Sequence, residues 1–137
     1  MRPINRLSNF ITGYFDHCQE TGEQWDEILR RQSIIYQQSG FYGASKFTAV
    51  LVPKFMNQQR CFLKECRAEC KSIINDLEDK SIKKPLGDII RQLDKAIKHD
   101  NCFCGIAQIR DMLEDFADVV FDMEAIENIK ILNDDLI

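Results

Sequence analysis

The apolar positions in the last third of the chain fall on one stripe. Between Ile106 and Leu132, Ile106, Ile109, Leu113, Phe116, Val120 and Met123 follow steps of three and four residues, which is one face of an α-helix. Asp111, Glu114, Asp115, Asp118 and Asp122 occupy the opposite face, and no Lys or Arg stands between Asp111 and Ile129. A second apolar line, Met112, Val119 and Ile126, runs beside the first.

The same periodicity predicts helices elsewhere. Ile4, Leu7, Ile11, Tyr14 and Cys18 mark a first helix from Ile4 to about Cys18, with Phe10 and Phe15 broadening its stripe. Thr21 and Gln24 have capping-box spacing, so a second helix is expected to start there. Its buried side would be Trp25, Ile28, Leu29, Ile35 and Tyr36, and Gly40 can take the left-handed conformation that ends it. Residues 41–53 are ambiguous. Phe47 to Val52 is β-branched enough for a strand, but no second strand-like run exists to pair with it, so a short helix from about Ser45 that kinks or ends before Pro53 is expected.

A third long helix from about Lys54 to Asp79 carries Gln59, Leu63, Cys66, Cys70, Ile73 and Leu77 on one stripe. Pro85 fits the first turn of the next helix, whose apolar face is Leu86, Ile89, Ile90, Leu93, Ala96 and Ile97, and which ends at His99, Asp100 and Asn101. Gly105 allows the turn into the acidic helix. The pattern is all-α: residues 1–137 as one domain, a bundle of about five helices with short connections.

Composition agrees with this reading. A chain of 137 residues, 45% hydrophobic and 29% charged, can bury a core without staples. The net charge of −4 is unevenly spread: residues 54–98 sum to +4 and residues 99–137 to −8. A basic middle and an acidic end can attract each other within one fold or face separate partners. No apolar run reaches the length of a membrane span, and no secretory signal is visible. The first fifteen residues have the basic, acid-free composition of an organellar transit segment, which an ordinary first helix shares. Six cysteines without a secretory signal fit reduced thiols, and a cytoplasmic location is expected.

Candidate chemistry is sparse. Cys66 and Cys70 lie one turn apart, and His99, Cys102 and Cys104 are close in sequence, so a metal could draw on both groups. The spacing is not that of a common zinc module, and Cys66 and Cys70 sit where the stripe needs small apolar residues. No phosphate-binding glycine loop exists, and the short lysine clusters (Lys80, Lys83 and Lys84; Lys95 and Lys98) lack the interleaved aromatics of a nucleic-acid surface. No cofactor is expected on this reading.

The acidic face is the more distinctive feature. Its like-charge pairs at three- and four-residue spacing together cost the helix about 1–2 kcal/mol, which a cationic partner would relieve. The segment Glu114-Asp115-Phe116-Ala117-Asp118-Val119-Val120 resembles the Glu-Glu-Ile-Ala-Asp-Val segment of MazG-like nucleoside triphosphate pyrophosphohydrolases. Glu65-Cys66-Arg67-Ala68-Glu69 resembles that family's Glu-Glu-x-x-Glu, with Cys66 standing where the family has a ligand glutamate. The resemblance implies an all-α fold and a Mg²⁺ site on Glu65, Glu69, Asp115 and Asp118 that grips a triphosphate, or a nucleotide-binding relative without activity. The residues themselves favour a different expectation. It is a small helical protein-binding module of inhibitor, immunity or adaptor type, preferred to an enzyme, with the pyrophosphohydrolase as the alternative. Asp111, Glu114, Asp115, Asp118 and Asp122 would meet a basic protein surface, with self-association as a further possibility.

Overall fold

The computed structural model describes residues 1–99 and 102–136, with the side chains of Cys102 and Leu136 left aside. Three helices account for nearly all of them: α1 (Pro3–Asp76), α2 (Lys80–Lys98) and α3 (Cys102–Leu136). Among the described residues there is no strand. Three helices stand where about five were expected: two breaks read from the sequence do not occur, and α1 takes in both arms of the hairpin that turns at Gly40.

The first is at Thr21. It does not cap a new helix; it lies inside α1, buried, and its hydroxyl donates to Oε1 of Gln59 at 3.2 Å. In a capping box that oxygen would accept from a backbone N–H; here the hydroxyl instead donates to a tertiary acceptor. The second is at Pro53, which lies within α1. Proline removes one helical hydrogen bond, but this one is exposed, and the flanking turns are held by Ala44 and Phe55, both buried.

The one genuine interruption is Gly40, at φ +70°, a conformation that L side chains rarely adopt. It reverses the chain, so α1 is a hairpin of two antiparallel arms, residues 3–39 and 41–76. Contacts along it keep a constant register: Trp25 stacks on Phe55 (5.6 Å), Gln32 donates to Thr48 (2.7 Å) and Arg6 donates to Ser72 (2.7 Å). Gly43 permits the close approach at the tip, since a Cβ there would lie 2.7 Å from that of Ser39.

The two later helices pack against the lower part of this hairpin. The second arm meets α2, where Arg67 pairs with Asp94 and Arg60 donates to the carbonyls of Ile97 (3.2 Å) and His99 (3.0 Å). That guanidinium satisfies carbonyls which a helix end leaves without partners. The first arm meets α3, where the Tyr14 hydroxyl donates to the Ile106 carbonyl (2.9 Å) and Ser8 donates to Glu124 (3.0 Å). Both pairings are antiparallel, giving a four-armed cross-section whose core includes Leu7, Tyr14, Leu63, Ile73, Ile89, Leu93, Ile109 and Leu113.

Two helix starts also differ from expectation. α2 begins at Lys80, capped by Asp79, which accepts from the Ser81 backbone N–H (2.8 Å) and hydroxyl (2.6 Å), so Pro85 lies inside the helix and not in its first turn. α3 begins at Cys102, so Gly105 is helical, and its role is steric: a Cβ on it would collide with the Cβ of Ala96. The expected helix end at Asp100 and Asn101 lies outside the described residues.

Gly105→Ala is expected to destabilise the fold by about 1–3 kcal/mol through overpacking. Gly22→Ala, with nothing within 4 Å of the added Cβ, should be neutral or stabilise by up to about 1 kcal/mol. Urea unfolding of the two variants checks this, and equal shifts would contradict the close approach of α2 and α3.

Candidate functional site

Packing fixes which way α3 faces. Ile109, Leu113, Phe116, Ala117 and Val120 are buried, and the ties from Tyr14 to Ile106, Ser8 to Glu124 and Arg2 to Glu127 (3.7 Å) clamp the helix along its length. The five acids of the opposite face, Asp111, Glu114, Asp115, Asp118 and Asp122, are consequently all exposed. Arg110 approaches Asp111 (3.8 Å) and Glu114 (3.9 Å). Among the described residues, Asp115, Asp118 and Asp122 have no ion-pair partner. Of the basic residues of the middle segment, Arg67 pairs with Asp94 and Arg91 with Asp88, not with these acids.

Beside this face, α2 and α3 leave a furrow of about 350 Å³. Pro85, Ile89, Met112, Phe116 and Val119 line its apolar part, and Asp88 and Asp115 stand at its edge. Val119 and Ile126, two of the three residues of the second apolar line, are half exposed (49% and 52%). The acids and the apolar line are therefore one continuous surface.

The carboxylates of the resemblance are placed differently. Glu69 accepts from Arg6 at 3.5 Å, beside Ser72 and Asp76, which the same guanidinium also holds. Glu65 is exposed on the same arm, while Cys66 is turned into the core at 5% exposure. Among the described residues no three His, Cys, Asp or Glu side chains are grouped so as to hold a metal ion. Glu65, Glu69, Asp115 and Asp118 are not brought together as a set.

The cysteines read as core residues are core. Burial pushes the thiol of Cys70 from an ordinary 9.0 to about 12 and that of Cys66 higher still, and burial also raises the Tyr14 phenol. Cys61 and Cys104 are exposed. His17 is a satisfied histidine: its Nε2 lies 2.9 Å from Gln59 Oε1, and its ring stacks on Phe62.

The part of the hairpin beyond the core is the feature that sequence reasoning missed. Past the level of Trp25 and Phe55, residues 26–54 have neither α2 nor α3 against them. Leu29 (44%), Tyr36 (57%), Phe41 (78%), Tyr42 (71%) and Val50 (69%) are exposed there. Leu29 and Tyr36 were expected on a buried side; they are exposed because α2 and α3 stop short of them. One flank of this overhang holds a furrow of about 600 Å³ with charged walls, including Glu20, Glu23, Glu27, Arg31 and Lys54. The other holds one of about 580 Å³ lined only by uncharged residues.

No helix among the described residues is long and apolar enough to cross a membrane. Compared with family models, with curated proteins and with solved structures, the chain matches none.

Three buried groups with raised pKa values give the fold a pH dependence of definite sign. Above pH 9 the unfolded thiols ionise while the folded ones stay neutral, so stability is fully present below about 9 and falls as pH rises toward about 12. Urea unfolding at pH 7.5 and pH 10.5 should give the lower midpoint at the higher pH. An unchanged midpoint would show that Cys66, Cys70 and Tyr14 are not buried as described.

Proposed function

We propose that this protein is a binding module whose acidic α3 face and adjoining α2–α3 furrow receive a basic, amphipathic segment of another protein. The single observation that carries the reading is that Asp115, Asp118 and Asp122 are exposed together with no ion-pair partner among the described residues, next to the apolar floor of Ile89, Met112, Phe116 and Val119. Carboxylates at three- and four-residue spacing repel one another on the free helix. A partner's Lys or Arg side chains relieve that repulsion on binding, while its apolar side chains enter the furrow. Such charges contribute chiefly to encounter rate and selectivity, and the apolar anchors to residence time. No chemical step is assigned to this surface, and Mg²⁺ has no part in the reading.

The test uses two synthetic helical peptides with the same leucine pattern, one with lysines and one with glutamates on the polar face, followed by fluorescence anisotropy. The lysine peptide should bind, more weakly as salt rises, and Asp115→Lys with Asp118→Lys should weaken it at least about tenfold. Equal binding of both peptides, or no effect of the double reversal, would overturn the reading. So would stabilisation by a nucleoside triphosphate with Mg²⁺ in a protein that ignores both peptides.

A further inference from the structure

The hairpin carries one apolar stripe through its whole length. In the first arm it steps Leu7, Ile11, Tyr14, Cys18, Gly22, Trp25, Leu29, Gln32, Tyr36, always by three or four residues. In the second it steps Phe41, Ser45, Thr48, Val52, Phe55, Gln59, Leu63, Cys66 by the same rule. Residues on such a stripe stay on one side of a helix. Below Trp25 and Phe55 that side is the one α2 and α3 cover, and Leu7, Tyr14 and Leu63 are at most 1% exposed. Phe103 closes the covered part, with its ring 5.3 Å from Trp25 and 5.4 Å from Phe55. Above that aromatic layer the same side continues bare.

We propose that this bare side of residues 26–54 packs against the same side of a second copy of the chain, as an antiparallel two-fold pair of hairpins. Four observations select this occupant. The bare side continues a seam that elsewhere takes two antiparallel helices, and a second hairpin supplies two antiparallel helices. Its furrow is lined by Leu29, Tyr36, Phe41 and Ala44 among uncharged neighbours, so it can meet itself without opposing like charges. Glu27 holds Arg30 (2.6 Å) and Arg31 (2.9 Å) and Lys46 lies over the Tyr42 ring, so these charges have partners within the overhang. The opposite flank, with its charged walls, lacks this self-complementarity.

The dimensions also match. From Trp25 to Gly40 is about 22 Å of helix, and two helices side by side are about 20 Å wide. That footprint is about 440 Å² in plan, below the ~800 Å² per partner of a standard interface, and fits a weak pair that dissociates on dilution. In an antiparallel two-fold pair the axis passes near the Gln32–Thr48 hydrogen bond, Leu29 of one copy meets Tyr36 of the other, and each tip ends at the other's Trp25–Phe103 layer. The acidic face of α3 takes no part, so this inference stands apart from the one above.

Light scattering after size exclusion tests it. At about 100 µM the unmutated chain should have twice the 16.0 kDa of one copy and should dissociate on dilution. Leu29→Glu and Tyr36→Glu should each be single copies with an unchanged helical circular-dichroism signal, while Val119→Glu should still pair. A single-copy mass for the unmutated chain, pairing retained in both arm variants, or pairing lost only in Val119→Glu would each overturn the proposal. So would a single-copy protein that binds anionic or neutral lipid vesicles through the tip. Should the glutamate variants lose helix signal, amide exchange on the unmutated chain decides. Protection that rises with concentration in residues 26–54 supports the pairing, and a rise confined to residues 112–132 contradicts it.

Discussion

Everything in this structure depends on one constraint: two apolar stripes, on residues 3–39 and 41–76, must be brought side by side to form a core. Gly40 lets the chain solve this by folding the helix onto itself, because a positive φ carries no steric penalty there. Across the seam Tyr14 meets Phe62 and Trp25 meets Phe55. Polar residues within the seam are satisfied across it, Thr21 and His17 on Gln59 and Gln32 on Thr48, which removes the usual cost of burying them.

The remaining helices follow from what the hairpin leaves open. α2 and α3 cover the lower half and complete a core shared by all four arms. α2 is strongly one-sided, whereas α3 buries one stripe and still exposes Val119, Ile126, Ile129 and Leu132; the outer faces of both are left to water and partners. On α2 that face carries the short lysine clusters; on α3 it carries five carboxylates. α2 is too short to reach the tip of the hairpin, and α3 runs the other way, its C-terminal turns passing the start of α1. The overhang and the acidic face are thus two surfaces of different chemistry that no described residue covers.

Much of this was legible in the sequence, and the failures have physical reasons. The stripes of Ile4–Cys18, Leu63–Leu77, Leu86–Ile97 and Ile106–Met123 face the core as read, with Cys18, Ile90, Ile97 and Met123 buried only in part, because step periodicity reports a face directly. The apparent cap at Thr21 misled because the same hydroxyl chemistry serves a cap or a tertiary acceptor, and only the fold supplies Gln59. Pro53 misled because a proline on an exposed face can be tolerated when the turns around it are pinned. Leu29 and Tyr36 lie on the predicted face, but burial also needs a covering element, and the lengths of α2 and α3 relative to the hairpin are not written in α1 itself. Glu69 sits beside Arg6, 63 positions away, a neighbour that no local motif could announce.

Backbone amide exchange along α1 tests the hairpin most directly. If one helix runs unbroken through Thr21 and Gln24, the amides of Cys18 to Trp25 should exchange slowly as a continuous block. A fast-exchanging break at residues 20–24, flanked by protected turns, would mean two separate helices there and would contradict the continuous stripe on which the overhang and the packing of α2 and α3 both rest.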